Sequence, residues 1–227
     1  MDKILSQKIK IAKLVVGILQ YIPFIRMVAL CNSITKGDVN QDSDIDFFIV
    51  TEHKYIFTVR YMAVFLITIL GLKSRPDKGI CKDKICLSFF LSNFSLNLDR
   101  LNRNKEEEVL RANWISNLVP VFDESNTYLD FVDKNSWVKK YDKNYYTKMA
   151  SKTKNIKVST FAFIIRKIIE TISFFLIGWI VENIVRNIQI NRLLRFKHSH
   201  FGEERMVIND QIIKLHYKVK KESCELY

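Results

Sequence analysis

The sequence predicts an α/β (α+β) fold: a small mixed sheet flanked by helices over residues 1–100, followed by a mainly helical, basic portion over 101–227. Three observations carry this. Short apolar runs at 25–31, 44–51 and 85–91 are bounded by turn-forming residues, as strands are. Apolar residues between them recur at helical spacing. Past residue 100 helical patterning dominates, so strands come first and helices follow. With 227 residues, 48% of them apolar, the chain is long enough for one substantial core. Only 6 Gly and 3 Pro exclude collagen-like and Pro-rich architectures. A charged share of 26% beside 12% aromatics excludes a disordered chain.

The elements follow in order. Ile4, Ile9, Ile11, Leu14, Val15, Ile18 and Leu19 mark an amphipathic helix over 2–20, ended by Pro23. A buried strand at 25–31 leads into a polar stretch, 32–43, holding Gly37. The strand at 44–51 alternates at its start and is wholly apolar at its end. A helix over 53–72 closes at Gly71, and a basic turn with Pro76 and Gly79 precedes the third strand. Helices are expected at 105–118 and 126–133, a polar connection at 134–156, and one long helix at 158–196. A short element at 206–208 and a helical turn at 210–216 finish the chain. No internal repeat is visible.

Charge is unevenly placed. Residues 1–133 hold 17 basic and 16 acidic side chains, whereas 134–227 hold 19 and 8, a net +11. Residues 134–167 carry ten basic groups against Asp142 alone, interleaved with Tyr141, Tyr145 and Tyr146. This stretch reads either as a polyanion contact or as a solubilising surface, and lysine rather than arginine dominates it. Cys31, Cys81, Cys86 and Cys224 form no C-x-x-C pair, which speaks against a zinc ribbon or redox motif. Lysines through the first apolar positions argue against a signal peptide, so a cytoplasmic setting is expected. Apolar runs at 59–72 and 171–181 fall short of the roughly 20 residues a spanning helix needs. They are expected to be core helices, with peripheral membrane contact the alternative for the second.

One window carries chemistry. Asp44 and Asp46 are two apart on a strand, so both carboxylates share a face. Two adjacent carboxylates suit a divalent cation between them, and hard oxygen ligands suit Mg²⁺. Upstream, a strand ends at Cys31, and Asn32-Ser33 opens a turn whose backbone N–H groups and Ser33 hydroxyl fit phosphate.

This window resembles the signature of the nucleotidyltransferase superfamily, whose fold is shared with DNA polymerase β: an apolar strand, Gly-Ser or Gly-Gly, a spacer of about nine to thirteen residues, then Asp-x-Asp in a second apolar strand. Here ten residues separate Ser33 from Asp44. More loosely, Lys84-Ile-Cys-Leu-Ser-Phe-Phe, Leu118-Val-Pro-Val-Phe, Asn135-Ser-Trp-Val, Val207-Ile-Asn-Asp and Lys214-Leu-His216 resemble bacterial proteins described only as nucleotidyltransferase-domain proteins. The resemblance implies that Asp44 and Asp46 ligate Mg²⁺ (or Mn²⁺) and that Ser33, with Asn32, holds the NTP triphosphate. It implies transfer of a nucleoside monophosphate to a hydroxyl acceptor, which would be a small molecule, a protein or an RNA end. The sequence departs from the signature twice: Asn32 replaces the Gly, and the strand at 85–91 lacks the third carboxylate, with Cys86 or Ser88 standing there and Asp83 just before it.

Arg60 and Lys84 are further candidates for phosphate contact, with Lys73, Arg75, Lys78 and Lys82 of the same basic turn. His198, His200 and His216 are weak ligand or acid–base candidates. The absence of G-x-S-x-G, P-loop and Rossmann glycine patterns disfavours serine hydrolases, Walker ATPases and dinucleotide oxidoreductases. Two rivals remain open: a catalytically weak nucleotide- or RNA-binding module of the same fold, and a peripheral membrane protein.

Overall fold

A computed structural model describes residues 2–75, 79–152, 159–175, 178–200 and 206–215. Ile25–Cys31 forms β1 and Ile45–Thr51 forms β2, an antiparallel pair buried along its whole length. Ile85–Ser92 forms β3, parallel to β2. A parallel neighbour requires a crossover, and the helix Ile56–Ile69 (α3, after Asp2–Leu19 as α1 and the short Ser33–Lys36 as α2) supplies it. Val119–Asp123 (β4), Val207–Ile208 (β5) and Ile212–Lys214 (β6) complete a six-stranded mixed sheet in the order β4-β1-β2-β3-β6-β5.

Period-two alternation sends the two halves of each central strand to different cores. Val28, Ile45, Phe47 and Ile49 pack against α1 and α3 through Val15, Leu19, Phe57 and Ala63. Met27, Ala29, Phe48, Val50 and Phe89 face the other way. There they meet Lys105–Asn117 (α4), Thr127–Lys134 (α5) and Tyr145–Ser151 (α6) through Ile115, Phe131 and Met149. Helices on both faces explain why β2 is apolar without interruption from Phe47 to Val50.

Four expectations are corrected. The polar connection at 134–156 contains a 3-10 turn, Ser136–Lys140, and α6, both sending side chains into the core: Val138 and Tyr145 are fully buried. The single long helix is two, Thr160–Phe175 (α7) and Gly178–His200 (α8), crossing at 91°. Gly178 sits at the join because a Cβ there would come within 2.5 Å of the Ser173 carbonyl oxygen and 2.7 Å of the Tyr55 hydroxyl. The helical turn at 210–216 is strand β6, entered through a turn in which the Asn209 side chain accepts from the amides of Gln211 and Ile212. Asn at that position reads equally as a helix cap or a turn, and the turn wins. β4 has no counterpart in the sequence reading, because Pro120 argues against a strand; it is an edge strand, where Pro is tolerated. Three of the six strands therefore come from beyond residue 100. His216 lies outside the described residues, as do the side chains of His198 and His200.

Candidate metal and phosphate site

β1 ends where β2 begins, so Cys31 lies opposite Asp46, and Asp46 lies opposite Cys86 of β3. Asn32 and Ser33 leave β1 at this same end, and Asp44 precedes β2 there. One potential ligand atom each from Asp44, Asp46 and Cys86 lies within 4.8 Å of the others, the one such group among the described residues. The strand-neighbour position that the sequence left to Cys86 or Ser88 thus falls to Cys86.

The surroundings decide what the cluster suits. Asp46 is 9% exposed. Asp44 accepts from the Ser74 hydroxyl at 2.8 Å. Burial pushes the Asp44 carboxyl above its usual range, against the pull of Ser74 and of the Lys8 ammonium. Burial and the two carboxylates likewise push up the Cys86 thiol. The buried Asp46 and half-buried Asp44 supply hard anionic oxygens, and a divalent cation would relieve both their desolvation and their repulsion. The Cys86 sulfur is a soft donor and adds no hard ligand, so the carboxylate pair fits a small hard cation that completes its shell with water and phosphate oxygens.

Several residues that shape the site come from distant sequence. Lys8 of α1 is fully buried; its ammonium donates to the Ser43 carbonyl at 2.6 Å and to Asp83 at 2.9 Å. It anchors the segment leading into Asp44. Asp83 is thereby committed to an ion pair with Lys8 and a bond from Gln7, and does not stand in for a third metal ligand. Trp114 of α4 donates from its indole to the Asn32 side chain at 3.1 Å and packs on Phe48 and Phe89. That bond turns the Asn32 amide toward α4. Asn32 adopts φ 58°, ψ −134°, a conformation for which glycine is suited, and its carbonyl accepts from Thr35 and Lys36 to start α2. The residue-type departure at 32 therefore retains the backbone shape a glycine would give.

The structure brings Asn32, Ser33, Asp44 and Asp46 to one end of the sheet. Lys84 lies beside this end, with its ammonium on the Gly71 carbonyl at 2.7 Å. Arg60 is not brought there: it sits near the start of α3, which follows the far end of β2, and donates to Gln189 of α8 at 2.5 Å. In the basic segment, Tyr145 is fully buried and donates to the Val132 carbonyl, which removes it from base stacking. Tyr146 stays partly exposed under the Lys139 ammonium. No signal in the sequence marks Lys8, Ser74 or Trp114; each acts across 30 or more residues of chain.

Comparison with known families finds no match, and no curated protein matches the chain. Among solved structures it has a loose likeness to a crystal structure of a toxin–antitoxin with AMP-PNP, at 12% identity and a TM-score of 0.34, over 62% of this chain and 96% of that one. A TM-score of that size assigns neither family nor activity.

Proposed function

We propose that this chain is a divalent-metal-dependent nucleotidyltransferase that moves a nucleoside monophosphate from an NTP to an acceptor hydroxyl and releases pyrophosphate. The carrying observation is the convergence of the Asp44 and Asp46 carboxylates at the strand end from which Asn32 and Ser33 depart. The sequence signature, met at Ser33, Asp44 and Asp46 with Asn32 in place of its glycine, supports the same reading. Asp44 and Asp46 would hold Mg²⁺ or Mn²⁺; the ion, when bound, supplies charge neutralisation at the transferring phosphoryl group. Ser33 would donate its hydroxyl to the triphosphate. Ser74 and Lys8 fix the approach to Asp44, so the carboxylate pair is positioned before a ligand arrives. In the reaction the acceptor oxygen bonds to the α-phosphorus, the bond from that phosphorus to the bridging oxygen breaks, and the acceptor proton leaves to solvent or a base.

A second reading has a specific observation behind it. Cys86 occupies the strand neighbour of Asp46 where a third carboxylate would act as base, and burial pushes its thiol up, away from the thiolate. On this reading the site binds nucleotide and metal without efficient transfer.

Both readings are tested together. Thermal melts with Mn²⁺ or Mg²⁺, with and without NTP, should show stabilisation that Asp44→Asn with Asp46→Asn abolishes. Incubation with labelled ATP, CTP, GTP and UTP, Mg²⁺ and cell extract should then label an acceptor. Ligand stabilisation without labelling supports the binding module. An undiminished metal shift in the double variant rules out this site for both.

A further inference from the structure

Two helices of this molecule are built inside-out. A helix on a water-soluble surface turns its apolar stripe inward and its charges outward. α7 does the reverse. Arg166 and Glu170 are buried: Arg166 donates to the Gln20 carbonyl and pairs with Glu124, while Glu170 takes Arg26 and the Phe24 amide. Phe161, Ile164, Ile168 and Ile172, at helical spacing, are all exposed. α8 repeats the arrangement. Glu182 is buried against the Phe57 and Thr58 amides at the start of α3, and Gln189 is buried against the Phe57 carbonyl. Outward stand Ile180, Ile184 and Ile188, with Trp179 73% exposed beside the α7–α8 join. The neighbouring α3 adds exposed Tyr61, Phe65 and Ile69. Exposed apolar surface on three helices is more than scattered residues and marks an interaction face.

Charge on the same face identifies what covers it. Glu170 and Glu182 are the acids of residues 160–195, and both are turned inward. The α8 stripe continues by fours from Ile188 to Arg192, and both Arg192 and Arg195 are exposed. Apolar residues, an exposed tryptophan and then arginines, with no outward acid, match the acyl boundary and headgroups of an anionic bilayer. Two copies meeting through this face would instead gather arginines in one seam with no outward acid from either helix to pair them. No single described helix is long and apolar enough to cross a membrane; the α7–α8 pair reaches that length and apolarity only together, across a bend of 91°. A bent pair suits the plane of an interface. We propose that the outward face of α7, α8 and α3 docks on an anionic lipid membrane, with the Trp179 elbow in the headgroup layer.

Flotation of the full chain with vesicles tests this. The protein should rise with vesicles of phosphatidylcholine and phosphatidylglycerol and much less with phosphatidylcholine alone. Ile184→Ser with Ile188→Ser should weaken binding by on the order of tenfold or more. Arg192→Gln with Arg195→Gln should erase the preference for phosphatidylglycerol, at roughly fivefold per arginine. Brominated phosphatidylcholine in the mixed vesicles should quench fluorescence in the parent and far less in Trp179→Phe, a readout that survives if the serine variant misfolds. Absence of flotation, or flotation and quenching unchanged in every variant, overturns the proposal. So does a dimer in light scattering that the serine variant dissociates while vesicle binding is absent, which would give the face to a second copy.

Discussion

Asp46 lies between two cysteines, Cys31 on one neighbouring strand and Cys86 on the other. That placement makes the identity of residue 86 decisive for metal chemistry. Cys86→Asp would give the site three carboxylates, and Mn²⁺ affinity measured by calorimetry should rise by about tenfold or more, since each added hard anionic ligand tightens a divalent site. An unchanged affinity would show that the cation, if bound, does not reach β3. Asn32 gives a second prediction. Its φ of 58° with ψ of −134° stores strain of about 1–3 kcal/mol, partly offset by the bond of about 1 kcal/mol from Trp114. Asn32→Gly should therefore stabilise the fold by on the order of 1 kcal/mol in urea unfolding. Destabilisation would mean that the tether to Trp114 outweighs the strain. The carboxylate pair and the Asn32-Ser33 turn are legible in the sequence because strand alternation and spacing fix them locally. Lys8, Ser74 and Trp114 are not, because only the folded chain brings α1, the α3–β3 link and α4 to one end of the sheet.

At the scale of elements, local pattern succeeds where one face is apolar and fails where tertiary contacts override it. β1, β2, β3, α1 and α4 follow from their periodicity. α6 does not, since its lysines and tyrosines read as a solvated connection until Tyr145 and Met149 are seen under α5. The start of α5 yields a pH prediction. Asp123, at the end of β4, accepts from the Tyr128 amide, yet burial pushes its carboxyl up to about 6. A carboxyl raised above its unfolded value of 3.8 binds more protons in the folded state across that interval. Stability from this group is thus greatest in acid and declines as pH rises through about 4 to 6, leaving the full penalty above it. Asp123→Asn keeps the acceptor oxygen and removes the titration. Its melting temperature should exceed the parent's at pH 8, and the gap should close at pH 4. An equal gap at both pH values would assign the gain to packing alone.

At the scale of the molecule, the sheet is the joint work of both ends of the chain. β6 is laid against β3 by pairing Phe90 with Ile213 and Leu91 with Ile212, and β4 covers the other side of β1. Sequence pattern alone suggests a self-contained unit over 1–100, because its strands and helices alternate cleanly there; the partners for β1 and β3 are short, late and interrupted by Pro120 or Asn209, and carry little signal. The physical consequence concerns cooperativity. Ile213 is fully buried in the core shared by α1 and α3, so Ile213→Ala should destabilise the whole chain by about 2–5 kcal/mol, as large-to-small core substitutions do. Lys214→Ala, on the same strand with its ammonium over Phe89, should cost far less. A fragment of residues 1–100 would leave the outer side of β1 and the β6 side of β3 unpaired, along with the apolar face that meets α4, α5 and α6. It should show no cooperative thermal transition and should bind a hydrophobic dye, whereas the full chain should melt in one step. A sharp, reversible melt of that fragment would show that the late strands merely decorate a complete domain, and a small loss for Ile213→Ala in the full chain would say the same.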